Sequence, residues 1–350
     1  MGQIRAVLCG YYGKGNGGDE ALLASLLQML PDRVTPVVLS GNPQQTRDRY
    51  GVESCDRFSA FEVGKALRTS QAFIWGGGSL MQDATSFISP LYYGGTMAWA
   101  QQQGLKTIAW AQGIGPLHRR SIREITKRVL QGCTAVSVRD RASARLVEEW
   151  KIEPLLAPDP VWALEDTPVE ALENLPSPRI AVTLRSHPQL TPQRLQVLTE
   201  ALYKLQRATD ACILLVPFQF SQDLEIARAI ASQLPGSHKI LMLEDPRELK
   251  GLYGGVEMAI GMRLHSLIMA AARGCRCSAL SYDPKVTQLM NDLDLSGWEL
   301  AQLPEDSQAI ADTWIDDFVK EKVLEIEKIE ALRDRALLHG KLLEQFVCNS

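Results

Sequence analysis

The sequence IRAVLCGYYGKGNGGDEALL, residues 4–23, predicts the first strand, ligand loop and helix of a parallel α/β domain. Residues 4–9 have the short apolar pattern of a buried strand, and a glycine-rich loop, residues 13–18, precedes the helical pattern that begins near Glu20. Short apolar runs alternate with longer helical patterns through most of the chain. This alternation is typical of doubly wound sheets, in which ligands bind beyond the carboxyl ends of the strands.

The alternation occurs twice, on either side of a proline-rich stretch. In the first half, predicted strands lie at residues 4–9, 34–39, 72–75, 107–111 and 135–138, and helices at 20–30, 91–103, 122–131 and 142–150. Periodicity is lost between residues 154 and 178, which include six prolines. In the second half, predicted strands lie at residues 179–184, 212–217, 239–243, 257–260 and 277–281, and helices at 191–208, 223–234, 246–251 and 264–273. We predict two Rossmann-like domains, residues 1–165 and 175–305, and a helical C-terminal extension, residues 306–350.

The composition of the 350-residue chain excludes several classes of protein. Hydrophobic residues make up 45% and charged residues 22%, which suffices for two cores and excludes disorder as the main state. The net charge of −4 disfavours nucleic acid as a partner. The seven cysteines lie mostly in apolar runs, and neither a signal-peptide pattern nor a membrane-spanning run is present. We expect a reduced, cytoplasmic protein.

The loop at residues 13–18 satisfies the G-x-G-x-x-G pattern of dinucleotide-binding domains. That pattern also needs an acidic residue at the end of the next strand, and residues 37–42, VVLSGN, contain none. A nicotinamide cofactor is therefore disfavoured. The alternative is a loop that binds an anion or sugar hydroxyls, with Asp19 and Glu20 in the first helical turn. Acidic residues there also suit the helix dipole, so a purely structural role for both remains open.

Further polar loops follow the predicted strands of the first half. Three consecutive glycines precede Ser79 in WGGGSLMQD, residues 75–83, and QGIGP, residues 112–116, contains two more. Because glycines cost backbone entropy on folding, the triplet indicates close approach of a ligand or of the other domain. The candidates for substrate binding in this half are Asn16, Gly17, Gly77, Gly78, Ser79 and Gln112.

The most informative stretch of the second half is IGMRLHSLIMA, residues 260–270, which places Arg263 and His265 in the opening turn of a helix. A cation at that terminus opposes the helix dipole unless an anion bridges both. Arg185 and Lys285 also follow predicted strands, so the three cations are expected to converge on one multiply charged anion. The structural alternative is an arginine paired with a carboxylate beside a packed histidine.

Metal and redox cofactors find little support in the sequence. Cys275 and Cys277 form a single close pair without a nearby histidine, and Asp292-Leu293-Asp294 lies in a helix-like segment. The other histidines are scattered. We therefore expect neither a metal nor an organic cofactor.

Taken in order, these segments resemble the polysaccharide pyruvyl transferase family, and most closely its bacterial branch that pyruvylates secondary cell-wall polymers. The matching stretches are GNGGDE (15–20), GGGSL (76–80), QGIGP (112–116), SVRD (137–140), PDP (158–160), Arg185, GMRLHS (261–266) and YDPK (282–285).

The resemblance implies a fold like the GT-B glycosyltransferases and transfer of a pyruvyl group from phosphoenolpyruvate to two hydroxyls of one sugar, which forms a cyclic ketal. It implies that Arg185 and Arg263 hold the donor and that His265 is the acid. The implied acceptor is a lipid-linked saccharide ending in N-acetylmannosamine, at the inner face of the membrane, whose polymer product anchors S-layer proteins. Asp19 or Glu20 would orient or deprotonate the acceptor hydroxyls.

Two other functions remain open from the residues. A metal-independent glycosyltransferase would use the same fold, and Glu244 or Asp245 could hold the ribose of a nucleotide sugar. An inactive scaffold in envelope assembly is the non-enzymatic alternative, which the intact arginine and histidine positions disfavour. The oligomeric state does not follow from the sequence.

Overall fold

The computed structural model describes residues 2–84, 86–320 and 324–348. The chain forms two compact units. The first contains the described residues up to Leu164 and those from Ala331 on, and the second contains Glu165–Glu330. The segment predicted as a C-terminal extension, residues 306–350, is thus divided between the two units.

The first unit has a parallel sheet in the order β3-β2-β1-β4-β5-β6-β7. Its strands are β1 (Ile4–Cys9), β2 (Val34–Ser40), β3 (Glu53–Asp56), β4 (Ala72–Gly78), β5 (Lys106–Gln112), β6 (Ala135–Val138) and β7 (Leu155–Leu156). The connecting helices are α1 (Gly17–Met29), α2 (Pro43–Tyr50), α3 (Ala60–Arg68), α4 (Ile88–Gln102), α5 (Arg120–Gln131) and α6 (Arg141–Glu148). Strand β4 is buried along its whole length because helices cover both faces of such a sheet.

The second unit has a parallel sheet in the order β10-β9-β8-β11-β12-β13. Its strands are β8 (Arg179–Thr183), β9 (Cys212–Leu215), β10 (His238–Ile240), β11 (Met258–Gly261), β12 (Arg276–Ser281) and β13 (Ser296–Glu299). Its helices are α7 (Pro192–Thr209), α8 (Phe220–Ala231), α9 (Pro246–Leu252), α10 (Leu264–Ala272), α11 (Pro284–Leu293) and α12 (Ser307–Val319). Helix α12 packs against α7 and closes the core around Trp314.

The predicted α/β class with two doubly wound sheets is confirmed. Strands β1 and β6 have the predicted bounds, and the other predicted strands lie within a few residues of the observed ones. The sequence prediction omitted β3, β7, β13, α2, α3 and α11. Strand β3 has the polar sequence ESCD, and helix α2, PQQTRDRY, buries only Thr46, so neither shows apolar periodicity.

The last two helices return the chain to the first unit. Helix α13 (Ile326–Ala336) leads into α14 (Leu338–Cys348), which packs near β5 and β6. The completely buried His339 fastens this connection, because its Nδ1 lies 3.0 Å from the Ser137 hydroxyl and its Nε2 3.0 Å from the Pro158 carbonyl. The Trp110 indole donates to the His339 carbonyl at 3.1 Å. Burial lowers the pKa of His339 to about 4, so the ring is neutral at pH 7.

Both sheets change winding direction at one point. In the first unit, β1 lies beside both β2 and β4, so the loops that leave β1 and β4 meet at the sheet edge. In the second unit, β8 and β11 are the corresponding neighbours. Such topological switch points are where open α/β sheets bind ligands.

Candidate active site

The switch point of the second unit carries the two arginines that the sequence singled out. Thr183 of β8 pairs with Gly261 of β11, and Arg185 and Arg263 each lie two residues beyond that pair. The two guanidinium groups therefore leave adjacent strands at equivalent positions of the sheet edge. The strand register, which the sequence alone does not specify, brings them to the same edge.

Arg263 is held by a bidentate ion pair with Asp223. Its Nε donates to Asp223 Oδ2 at 2.8 Å and its Nη2 to Oδ1 at 2.6 Å, and the arginine is only 6% exposed. Asp223 Oδ2 also accepts the backbone N–H groups of Phe218 and Gln219. Asp223 is therefore the carboxylate partner that a structural role of Arg263 requires, and it fixes one edge of the guanidinium group. An arginine has five N–H donors, so the pair leaves further donors for a ligand.

Arg185 is half-buried and bound to neutral partners. Its Nη1 donates to the Tyr282 hydroxyl and its Nη2 to Gln222 Oε1, both at 2.9 Å, and its guanidinium lies 5.2 Å from the Tyr282 ring centroid. Gln222 and Asp223 are consecutive in the first turn of α8. One helical turn therefore holds both arginines of the edge.

His187 packs against the same tyrosine, with ring centroids 4.5 Å apart. Burial, with a further contribution from Arg185, lowers the pKa of His187. In the sequence, His187 lies outside every motif, so it was not predicted as a site residue.

His265 and Lys285 occupy the two helices that follow β11 and β12. His265 is the second residue of α10, is half-buried, and follows the Arg263 that caps this helix. Lys285 is the second residue of α11, and its N–H donates to Asp283 Oδ1 at 2.8 Å. Because β12 lies beside β11, the predicted cations follow the three adjacent strands β8, β11 and β12.

At the switch point of the first unit, the glycine loop closes around a carboxylate of its own chain. Glu20 is 3% exposed, and its Oε1 accepts the Gly13 N–H at 2.8 Å while its Oε2 accepts the Tyr50 hydroxyl at 3.0 Å. Burial raises the pKa of Glu20, and these hydrogen bonds offset part of the effect. The amide of Gly13, predicted to be part of an anion site, thus holds Glu20. Asn16 caps α1 by accepting the Gly18 N–H at 3.0 Å, and Gly17 is buried at the helix start.

Asp19 differs from Glu20 in its surroundings. It is half-buried, and its Oδ1 lies 3.6 Å from the position that a Cβ on Gly78 would occupy. The Asp19 carboxylate therefore lies against the loop that leaves β4. Of the two acidic residues, Asp19 is the one beside the neighbouring glycine loop.

Packing within the unit explains much of the glycine triplet. A Cβ on Gly76 would overlap the Tyr12 hydroxyl, which donates to the Gly76 carbonyl. Gly77 and Gly78 have φ angles of 69° and 92°, which side chains rarely adopt. Packing against Tyr12 therefore explains the glycine at position 76 without a ligand.

A buried ion pair connects three of the motifs. Arg139 of the SVRD stretch pairs with Asp159 of the PDP stretch, and both side chains are 6% exposed. Arg139 Nη2 also donates to the Ser79 hydroxyl at 3.3 Å. Gln112 is 1% exposed and donates to the Trp110 carbonyl at 2.9 Å, so its side chain lies in the core. The Ser79 side chain thus belongs to the loop that leaves β4, whereas the buried Gln112 side chain supports that loop from the core.

The remaining candidates are distributed differently. Asp245 caps α9, where its carboxylate accepts the Arg247 N–H at 2.8 Å. The carboxylate that could hold the ribose of a nucleotide sugar is thus engaged in a helix cap. Burial raises the pKa of the Cys277 thiol to about 12, so it is protonated at neutral pH. Among the described residues, no group of three or more His, Cys, Asp or Glu side chains is placed to hold a metal ion. No helix in the described part of the chain is long and apolar enough to cross a membrane.

The fold and the paired switch points define a two-domain α/β protein of the GT-B type, and solved structures support this class. The chain is similar to the UDP-GlcNAc 2-epimerase of Methanocaldococcus jannaschii, with 10% identity, a TM-score of 0.65 and coverage of 97% of this chain and 99% of that one. It is also similar to the UDP-GlcNAc 2-epimerase of Neisseria meningitidis (11%, TM-score 0.64, full coverage of both chains) and to a glycosyltransferase of Rickettsia africae (15%, TM-score 0.56, full coverage of both). At these identities the similarity shows the fold alone.

The family follows from the sequence profile of polysaccharide pyruvyl transferases, which matches residues 16–284. The chain belongs to the polysaccharide pyruvyl transferase family, and the predicted resemblance is confirmed. The matched region includes both switch points and makes the protein a transferase. No curated protein gives a significant match.

Sequence reasoning missed the residues that hold the functional groups in place. Asp223 lies 40 residues from Arg263 in the chain, so no local pattern connects them. The signal available was that Asp223 is the first residue of the predicted helix 223–234, which follows the predicted strand 212–217.

Proposed function

We propose that the protein transfers a pyruvyl group from phosphoenolpyruvate to two hydroxyls of one sugar, with the donor bound at the arginine edge of the second unit. The observation that carries this is the matched placement of Arg185 and Arg263 at the β8–β11 switch point, held by consecutive residues of α8. Phosphoenolpyruvate carries a tetrahedral phosphate and a planar carboxylate. Each of the two guanidinium groups can bind one of these anionic groups through paired hydrogen bonds. Lys285, in the first turn of the helix that follows the next strand, adds a third cation.

His265 is the proposed acid, because it lies two residues beyond Arg263 in the opening turn of α10. An imidazolium there donates its proton to the methylene carbon of the donor, which becomes a methyl group and leaves an oxocarbenium centre at the adjacent carbon. The first sugar hydroxyl attacks this carbon and loses its proton. The carbon–oxygen bond to phosphate then breaks, and the second hydroxyl closes the ketal. Of the two hydroxyl protons released, one restores the histidine and the other leaves with inorganic phosphate.

The first unit is the proposed acceptor side. Asp19 is the better candidate for orienting or deprotonating a hydroxyl, since Glu20 is buried and engaged with the glycine loop. The other proposed acceptor-binding residues are Asn16 and Gly17 at the start of α1, Gly77 and Gly78 at the end of β4, and Ser79 just beyond it, with Gln112 supporting them from the core. The proposed acceptor is a lipid-linked saccharide ending in N-acetylmannosamine, a precursor of a cell-wall polymer for S-layer anchoring, at the inner face of the cytoplasmic membrane.

Titration calorimetry with phosphoenolpyruvate and, separately, with UDP-N-acetylglucosamine tests the donor. We expect binding of phosphoenolpyruvate and phosphate release that depends on an N-acetylmannosamine-terminated acceptor. Binding of the nucleotide sugar without phosphoenolpyruvate would instead support the glycosyltransferase alternative, which the solved structures with related folds keep relevant. Binding of neither would favour the scaffold.

A further inference from the structure

An exposed apolar patch lies at the carboxyl edge of the first sheet. It consists of Phe58 and Phe61 at the start of α3 and of Phe87, Ile88 and Leu91 at the start of α4. Phe61 is 76% exposed, Ile88 74% and Phe58 67%. Single exposed apolar residues are ordinary, but a contiguous group of this size marks an interaction surface.

The patch is continuous through Tyr92. The rings of Phe58 and Tyr92 are 6.2 Å apart, and Tyr92 follows Leu91 directly and lies one helical turn after Ile88. Helix α4, ISPLYYGGTMAWAQQ, contains no charged residue. Phe58 and Tyr92 also line a cavity of about 250 Å³, and its other lining residues are Arg57, Ala60, Val63, Thr96 and Trp99. The surface therefore has room for part of a hydrocarbon chain.

Basic residues border the patch. The Arg119 guanidinium lies 5.3 Å from the Phe87 ring centroid and 3.7 Å from the carboxylate of the buried Asp83, and its side chain is 52% exposed. The exposed Arg120 follows it. Residues 118–131 contain five basic residues and one acidic residue, although the chain as a whole has a net charge of −4. Helix α5, which carries most of them, packs against α4. On the other side, Lys14 lies 5.1 Å from the Phe58 ring centroid.

Two acidic residues near the patch are engaged locally. Asp56 accepts the Phe58 N–H at 2.9 Å, and Glu62 accepts the Asp56 N–H at 2.8 Å. Their charge therefore stabilises the turn that presents Phe58 and Phe61. On the α5 side, the buried Asp83 pairs with Arg119 and offsets part of its charge, whereas residues 118–123 themselves contain no acidic residue.

We propose that this patch and its basic border dock the protein on a bilayer surface that contains anionic lipid. Apolar side chains enter the boundary between headgroups and acyl chains, while the adjacent cations contact lipid phosphates. The inference deepens the membrane location in the proposed function, since it assigns the surface that would bring the enzyme to a lipid-linked acceptor. Docking through this surface does not require that phosphoenolpyruvate is the donor.

Sedimentation with vesicles of phosphatidylglycerol and phosphatidylcholine in equal parts tests the proposal. We expect binding that falls steeply with salt and is lost on vesicles of phosphatidylcholine alone. The double variant Phe61→Ser/Ile88→Ser should weaken binding at least about thirtyfold, and Arg120→Gln about fivefold. Matched controls in the second unit are Val319→Ser, which is 68% exposed, and Arg207→Gln/Lys239→Gln. They should bind like the unaltered protein.

Phosphate release with a water-soluble acceptor separates this inference from the proposed function. The patch variants should keep that activity and their melting temperature, because the altered side chains are exposed. Failure of the unaltered protein to bind anionic vesicles overturns docking whatever the activity. Loss of soluble-acceptor turnover with vesicle binding intact would make the patch an acceptor site instead. A dimer in sedimentation velocity that Phe61→Ser/Ile88→Ser dissociates, without vesicle binding, would assign it to self-association.

Discussion

The two sheets share one strand order, yet their switch points carry opposite chemistry. The loops after β1 and β4 present glycines and carboxylates, whereas the segments after β8 and β11 present Arg185 and Arg263. Topology favours a ligand site at both points but does not select the ligand. The residues just beyond the strand ends do so.

Each edge nevertheless combines a buried ion with a more accessible one. Glu20 and Arg263 are buried and bound to groups of their own unit, the first by the Gly13 amide and the second by Asp223. Asp19 and Arg185 are half-buried. At each edge, the buried member fixes the local backbone or its neighbours, and the half-buried member has more surface for a ligand.

The largest expected effect concerns the acid on the arginine edge. His265→Gln should fold normally, keep its affinity for phosphoenolpyruvate within about threefold, and lose turnover by about two to four orders of magnitude. The reason is that proton donation affects the chemical step more than binding. Melting temperature, calorimetry and single-turnover phosphate release on one preparation check this. Near-normal turnover would exclude His265 as the acid, and joint loss of folding and binding would make it structural.

The second prediction separates the two arginines. Arg263→Ala should lower the free energy of unfolding by about 3 to 5 kcal/mol, because it leaves Asp223 buried without its partner. Arg185→Ala should cost about 1 kcal/mol or less, since its partners are neutral. Both variants should bind phosphoenolpyruvate more weakly by calorimetry.

A matched control removes the ion pair as a whole. Asp223→Leu/Arg263→Met should recover much of the stability lost in Arg263→Ala, because no unpaired charge remains. It should not recover donor binding. If it binds phosphoenolpyruvate like the unaltered protein, Arg263 has only a structural role.

The third prediction tests the carboxylate edge. Asp19→Asn should reduce acceptor-dependent turnover about a hundredfold and leave the affinity for phosphoenolpyruvate unchanged within about twofold. Glu20→Gln, the neighbouring control, should change the melting temperature more than the rate, because its partners are Gly13 and Tyr50 of the same unit. Steady-state rates at saturating donor measure both. The reverse pattern would exchange the roles of the two residues.

The smallest expected effect is the pH dependence that His339 gives to the free energy of unfolding of the first unit. The folded protein keeps His339 neutral down to about pH 4, whereas the unfolded chain protonates this ring near pH 6.5. The stability from neutral His339 is therefore complete above pH 6.5 and declines as the pH falls, by about 2 kcal/mol between pH 7 and pH 5. His339→Asn should be less stable at pH 7 and depend less on pH over this range. Urea unfolding at the two pH values measures the difference, and an equal pH dependence in both proteins would contradict it.

Features that depend on neighbouring residues in the sequence could be predicted, and features that depend on contacts between distant parts of the chain could not. Apolar runs such as Ile4–Cys9 and Ala135–Val138 depend on local burial patterns, so their bounds could be predicted. Strand β3 is four residues long and largely polar, and it is a strand because it pairs with β2 in parallel register. That pairing has no local signal.

The candidate site divides in the same way. The positions of Arg185, Arg263 and His265 follow from their places after predicted strands, which is local information. The partner Asp223 requires the three-dimensional arrangement of α8 against the edge. For Glu20, the sequence showed an acidic first turn, but only the fold shows its carboxylate closing the loop at Gly13.

The return of α14 to the first unit has a consequence for synthesis on the ribosome. Strands β5 and β6 emerge early, but the helix that brings His339 to Ser137 and Pro158 is translated only after the whole second unit. Until then Trp110 lacks the carbonyl to which its indole donates. The nascent first unit therefore exposes an unfinished apolar surface while the second is made, and its core is completed only after the second unit has been translated, even though most of its sheet is encoded first.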